Sequence, residues 1–214
     1  MNESLALIFV VEVVAVLACA FSGFAEAQRK DMDLVGIYVV AFVTAFGGGT
    51  LRDILLERRP FFWVEHEAYP ILILAMTLLA TPLMRIAQRI IPNPAFVVAD
   101  AIGLGFFSVT GVALALDSGM SPFVASMMGV VTGVFGGVLR DVLLNEVPMV
   151  LRDGRPYAIA AFLGCWLYIL MTRAGSNPAL ALWTAAAVTT GFRVVAWRYN
   201  WSIKDTSGSD ASGR

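Results

Sequence analysis

The chain is short of charge. Only 14% of its 214 residues are Asp, Glu, Lys or Arg, well below the roughly 25% of a soluble domain. The charges it has nearly cancel, 15 basic against 16 acidic, so the basic footprint that nucleic acid demands is missing. It carries one histidine, His66, and two cysteines, Cys19 and Cys165. A lone loop histidine cannot build a metal site. Cysteines set inside apolar runs read as small buried hydrophobes rather than a disulfide or a ligand pair. There is no nucleophile–base pair and no metal-ligand cluster, so neither an enzyme nor a cofactor is expected. No polar stretch is long enough to form a soluble domain.

What the chain has is apolar length. Hydrophobic residues make up 58% and the mean hydropathy is +0.77. Apolar runs recur at the length that crosses a hydrocarbon core ~30 Å thick. They predict an all-α membrane protein with seven spans, at about 5–25, 34–56, 69–88, 95–116, 122–144, 157–173 and 178–198. The first run is not read as a cleaved signal. Glu3 precedes it, Glu12 interrupts it, and no Lys or Arg stands before it, the reverse of a signal peptide's charge pattern. Residues 202–214 are small and polar and are expected to be disordered.

Seven spans place the termini on opposite sides, and the basic residues choose between the two orientations. The side of the N-terminus holds Arg58, Arg59 and Arg173. The other holds Arg29, Lys30, Arg85, Arg89, Arg152, Arg155, Arg198 and Lys204. The positive-inside rule then puts the N-terminus outside and the C-terminus in the cytoplasm of a cell inner membrane. Phe61, Phe62 and Trp63 on one side, and Trp197, Tyr199 and Trp201 on the other, suit interfacial belts.

The sequence also repeats. GGTLRDILLERRP at 48–60 matches GGVLRDVLLNEVP at 136–148 in eight of thirteen positions, at an offset of 88. The same offset pairs Gly23 with Gly111, Thr44 with Thr132, Tyr69 with Tyr157, and Glu12 with Asp100. Residues 1–90 are therefore read as one three-helix unit, 91–175 as a second, and 176–201 as a seventh helix without a counterpart. Three crossings per unit send the second copy in from the opposite face, the inverted architecture of many transporters and some channels.

Two features fall inside the predicted spans. Gly47, Gly48 and Gly49 lie past the middle of span 2, and Gly136 and Gly137 past the middle of span 5. Each glycine weakens a helix by ~1 kcal/mol relative to alanine. Both helices are expected to kink there and to free carbonyls suited to a cation. The alternative is that the glycines only let helices approach closely. The second feature is charge: Arg52-Asp53 and Arg140-Asp141 directly after the glycines, with Glu12 and Asp100 in spans 1 and 4. Each costs at least ~2.5–3.5 kcal/mol at the centre of a membrane helix, so each needs a partner or water. Depth suggests two pairs, Glu12–Arg52 and Asp100–Arg140, one near each mouth of a pathway. The arginines then either face that pathway or staple the helices. Asp53 and Asp141, about 100° further round, point elsewhere, drawing cations in or neutralising arginines. Pro60 and Pro148 are expected to end their helices, Pro82 to kink span 3, and Arg193 to snorkel to the lipid headgroups.

The paired signatures GGGTLRD and GGVLRD, in two three-helix repeats plus a seventh helix, resemble the prokaryotic trimeric intracellular cation (TRIC) channels, a family that also carries a glycine-transporter domain name. The resemblance covers about residues 5–200. It implies a homotrimer with a pore in each protomer, lined by the glycine-kinked spans 2 and 5, in contact with membrane lipids and potassium as the permeant ion. Phe135 stands where the first copy has Gly47, which makes the second kink bulkier. The Lys-Glu-Val motif of the animal channels is missing. A monovalent cation channel is the leading expectation. A carrier of a small solute such as glycine, clamping a carboxylate on Arg52 or Arg140, is the alternative, and a non-transporting scaffold the third.

Overall fold

The computed structural model describes residues 3–87, 94–152 and 156–201, with side chains from residue 13 onward except 83–87 and 152. Nine helices stand among the described residues. Seven are long: α1 (Glu3–Arg29), α2 (Leu34–Leu55), α4 (Ala68–Ala87), α5 (Pro94–Asp117), α6 (Pro122–Leu143), α8 (Tyr157–Arg173) and α9 (Pro178–Arg198). They fall on the seven predicted runs. Two single-turn helices, α3 (Phe62–Glu65) and α7 (Met149–Arg152), follow α2 and α6 at equivalent places. By length and composition α2, α5, α6 and α9 are sufficient to cross a membrane. The tail 202–214, with Lys204, and Arg89 and Arg155 lie outside the described residues, and Arg85 and Arg152 are described in backbone only.

α5 is the centre. In its most apolar window 72% of residues are buried, against 33–44% for α2, α6 and α9, and it packs on α1, α6, α8 and α9. Lipid tails are as apolar as leucine, so such helices associate through close packing rather than a hydrophobic drive. Small residues supply the closeness. A Cβ on Gly105 would meet the Ala186 carbonyl at 2.7 Å, and one on Gly129 the Ser108 carbonyl at 2.6 Å.

Packing between α2 and α6 is reciprocal under the 88-residue shift. A Cβ on Gly48 would run into the Thr132 carbonyl, and one on Gly136 into the Thr44 carbonyl. Within each half, Gly23 faces Thr44 as Gly111 faces Thr132. Reciprocal contacts of this kind are the mark of a twofold relation.

Both glycine-bearing helices are continuous. α2 is helical through Gly47, Gly48 and Gly49, and α6 through Gly136 and Gly137. The expected break with freed carbonyls is not seen. One glycine of each cluster instead allows backbone to approach backbone. Nor do the prolines end these helices. α2 stops at Leu55 and α6 at Leu143, each through a left-handed residue two positions later, Glu57 (φ 53°) and Asn145 (φ 56°). The following amides reach back five residues, Arg58 N to the Asp53 carbonyl and Glu146 N to the Asp141 carbonyl, both at 2.8 Å. This is a Schellman closure, and Pro60 and Pro148 fall outside it. Pro82 sits inside α4, which continues to Ala87.

Candidate functional site

The two Arg-Asp pairs come to lie at the ends of α2 and α6, where the chain turns back. Arg52 is 4% exposed and Arg140 1%, so neither reaches solvent freely. Each binds the aspartate that follows it. Arg52 Nε donates to Asp53 Oδ1 at 2.9 Å and its Nη2 lies 2.8 Å from the same oxygen. Arg140 does the same with Asp141 Oδ1, at 2.8 Å from both nitrogens. The expectation that these aspartates point elsewhere is thus corrected. A one-residue step rises only ~1.5 Å along a helix, and arginine is long enough to fold back across the 100° turn. The second carboxylate oxygen caps the short helix that follows. Asp53 Oδ2 accepts from Phe62 N at 3.0 Å, and Asp141 Oδ2 from Met149 N at 2.8 Å. Each Arg-Asp unit therefore ties a long helix to its returning loop.

The Arg140 cluster reaches further. Its Nη1 donates to Asp100 Oδ1 at 2.8 Å and to Ser22 Oγ at 3.2 Å. Asp100 Oδ2 accepts from the Tyr157 hydroxyl at 2.9 Å. The guanidinium lies 4.9 Å from the centre of the Phe96 ring. One arginine thereby joins α1, α5, α6 and, through Tyr157, α8. Gly137 lies beside it, where a side chain methyl would make only ordinary contacts. A Cβ there would stand 3.7 Å from Arg140 Nη2 and 3.8 Å from Asp100 Oδ1. Charge-assisted bonds of this kind are the strong ones, and the crevice bordered by Arg140, Asp141, Gly137 and Tyr157 is too narrow for a water molecule.

The Arg52 cluster has free space beside it. A cavity of about 200 Å³ borders Arg52, Asp53, Arg58, Phe62, Glu65 and His66. Gly49 stands beside Arg52 as Gly137 stands beside Arg140, with Nη2 at 3.8 Å from its missing Cβ. Glu12, and with it the expected Glu12–Arg52 pair, lies outside the described side chains. His66 Nδ1 lies 3.2 Å from the Phe62 carbonyl and its ring leans on Tyr69. No group of three or more metal-ligating side chains occurs among the described residues.

Between the clusters, Gly47 and Phe135 line an apolar crevice of about 350 Å³ with Phe42, Phe46, Trp63 and Leu139. Trp63 is drawn back onto α2 rather than standing in a simple belt. Its indole donates to Thr50 Oγ1 at 3.1 Å and its ring meets Phe42 at 5.3 Å.

Ser22, Phe96 and Arg193 were not singled out as site residues from sequence. Tyr157 had a signal, because it repeats Tyr69 at the 88-residue offset. Arg193 does not snorkel. It is 1% exposed, 4.7 Å from the centre of the Tyr157 ring, and its Nε and Nη1 have no hydrogen-bond partner among the described residues. Its position on α9, five residues before the helix ends, suggested the rim. The packing of α9 on α5 and α8 puts it inside.

Comparison with known proteins agrees with this architecture. The sequence profile of the family described as Glycine transporter matches twice, over residues 9–85 and 97–173, an offset of 88 at both ends. The chain is 36% identical over 210 residues to the inner membrane protein YadS of Escherichia coli strain K12, covering 97% of this chain and all of that one. A trimeric intracellular cation channel orthologue from Rhodobacter sphaeroides superposes with a TM-score of 0.82 at 34% identity, covering 91% of this chain and 98% of its own. A second solved TRIC cation channel gives a TM-score of 0.83 at 32% identity, covering 94% of this chain and 98% of that one. The chain is a membrane protein and belongs to the prokaryotic TRIC channel family, whose sequence profile carries the description Glycine transporter.

Proposed function

We propose that the protein is a passive, potassium-permeable monovalent cation channel. It works as a homotrimer in the cell inner membrane, with seven crossings, the N-terminus outside and the C-terminus in the cytoplasm. Each protomer has its own path, lined by α2 and α6 and flanked by the two Arg-Asp clusters. The observation that carries the reading is the reciprocal crossing of α2 and α6 at Gly48 and Gly136, with an ionisable cluster at the end of each helix. Its solved relatives of the same fold are cation channels. Backbone meets backbone at this crossing, so the arrangement described is a closed one. Conduction requires the two helices to part at this crossing.

A carrier for a small carboxylate-bearing solute is the second reading, favoured by one observation: the cavity of about 200 Å³ beside Arg52. Arg140, with its donors spent on Asp100, Asp141 and Ser22, does not offer the same clamp. Purified protein in liposomes separates the readings. Potassium flux that does not saturate, with no uptake of labelled glycine, is the expected result. Saturable glycine uptake without potassium flux would replace the channel with the carrier.

A further inference from the structure

The duplicated halves agree in backbone at their cluster-bearing ends but not in the charges that face one another there. Lys30, in the turn after α1, forms an ion pair with Glu146, in the turn after α6. The pair links positions 116 residues apart and spans the Arg140 cluster. Glu146 N is held to the Asp141 carbonyl. Two turns of α1 earlier, Ser22 meets Arg140. Beside Lys30, Arg29 lies 5.8 Å from the centre of the Phe96 ring that Arg140 also covers.

Shifted by 88 residues, Lys30 becomes Ser118 and Glu146 becomes Arg58. The Schellman closure at Arg58 is the same as at Glu146, so the backbone presents the two side chains alike. A serine and an arginine cannot form an ion pair. That end holds the cavity of about 200 Å³, with Arg58 and Leu114, one turn before Ser118, on its wall. At the end crossed by the ion pair, the crevice beside Arg140 is too narrow for water.

From this asymmetry we infer that Lys30 and Glu146 form an electrostatic latch that holds the Arg140 end shut, whereas the Arg52 end, where no such pair stands, keeps a cavity and opens more readily. For the pathway to conduct, the turn after α6 must move away from α1, and the ion pair opposes that movement directly. Both partners are about 40% exposed, so the latch is a bias that salt weakens rather than a lock. It shifts the population between closed and open arrangements by the modest factor an exposed pair supports.

The inference rests on the channel reading for what opening means, so its test has a second readout that is independent of current. Ser22→Cys, in a Cys19→Ala, Cys165→Ala background, reports water access to the Arg140 end through its labelling rate with a membrane-impermeant thiol reagent. Lys30→Glu and Glu146→Lys are each expected to speed labelling about two- to fivefold and to raise the open fraction of potassium current in planar bilayers by a similar factor. The exchange Lys30→Glu/Glu146→Lys restores both to the parent values. Conversely, Ser118→Lys with Arg58→Glu installs the missing pair at the other end and lowers the open fraction. Faster labelling with no potassium current in any variant would keep the latch and remove the channel. Unchanged labelling in the single variants, or no restoration in the exchange, would overturn the latch.

Discussion

Arg52 and Arg140 occupy the same register in the two copies, each bound to the next aspartate through Nε and Nη2, and each aspartate caps the helix that follows. Around Arg140 the similarity ends. Asp100, Ser22 and Phe96 close on it, and Tyr157 carries the contact onward to Arg193 on the unrepeated α9. Around Arg52 there is instead a cavity. Duplication therefore supplied a common hinge element, the tie between a long helix and its returning loop. The surroundings then made one copy an interior staple and left the other on the wall of a cavity. One arginine is enclosed by its partners and the other stands beside a cavity.

What the copies still share should be the hardest to change. Gly48 and Gly136 each face a backbone carbonyl that cannot step aside. Gly48→Val and Gly136→Val are expected to lose the folded, monodisperse protein entirely, read by size-exclusion chromatography in detergent. Gly49→Ala and Gly137→Ala meet only ordinary contacts, none nearer than 3.5 Å, and should fold. Equal tolerance of all four substitutions would dissolve the reciprocal crossing and with it the equivalence of the halves.

Where the copies differ, the arginines should differ in cost. Arg140→Met removes the partner of two buried carboxylates, and breaking a buried pair typically costs about 3–5 kcal/mol. Arg52→Met leaves Asp53 beside a cavity that water can enter, so the loss is expected to be less than half as large. Chemical denaturation in micelles measures both. Adding Asp100→Asn to Arg140→Met should recover part of the loss by removing a stranded charge. Equal losses at the two arginines would mean that the cavity makes no electrostatic difference.

Much of the frame was legible in the sequence. Apolar length marked the seven long helices, and the 88-residue register brought out the glycines, both arginines and the Tyr69–Tyr157 equivalence. Depth alone suggested Asp100 for Arg140, and the two lie 2.8 Å apart. Three things were not legible, each because it depends on how helices are rotated against one another. A glycine cluster reads as a break, yet a helix held by neighbours on several sides keeps its ladder through three glycines. Arg193 reads as a rim residue from its distance to the end of α9, and only the packing of that helix on α5 and α8 buries it. Asp53 and Asp141 read as pointing away from Arg52 and Arg140, with neutralisation of arginines only one of two alternatives, because helical wheel angles ignore the reach of a long neighbour.

The smallest expected effect concerns the turn that both copies use. Helix ends that close with a left-handed residue favour glycine or asparagine, because other side chains crowd the following carbonyl. The second copy has Asn145 in that place at φ 56°, while the first has Glu57 at φ 53°. The backbone closure is the same, with Glu57 N bonded to the Ile54 carbonyl at 3.2 Å and Asn145 N to the Val142 carbonyl at 3.0 Å. The protein thus contains its own better solution 88 residues away. Glu57→Asn should raise stability, by at most about 1 kcal/mol, and Asn145→Glu should lower it by a similar amount, both read as shifts of the thermal midpoint in micelles. Opposite signs at equivalent sites would show that the two turns carry the same backbone demand. A loss at both would mean that the Glu57 side chain holds the Arg52 end in a way its backbone does not reveal, and the difference between the copies would then extend into the turn itself.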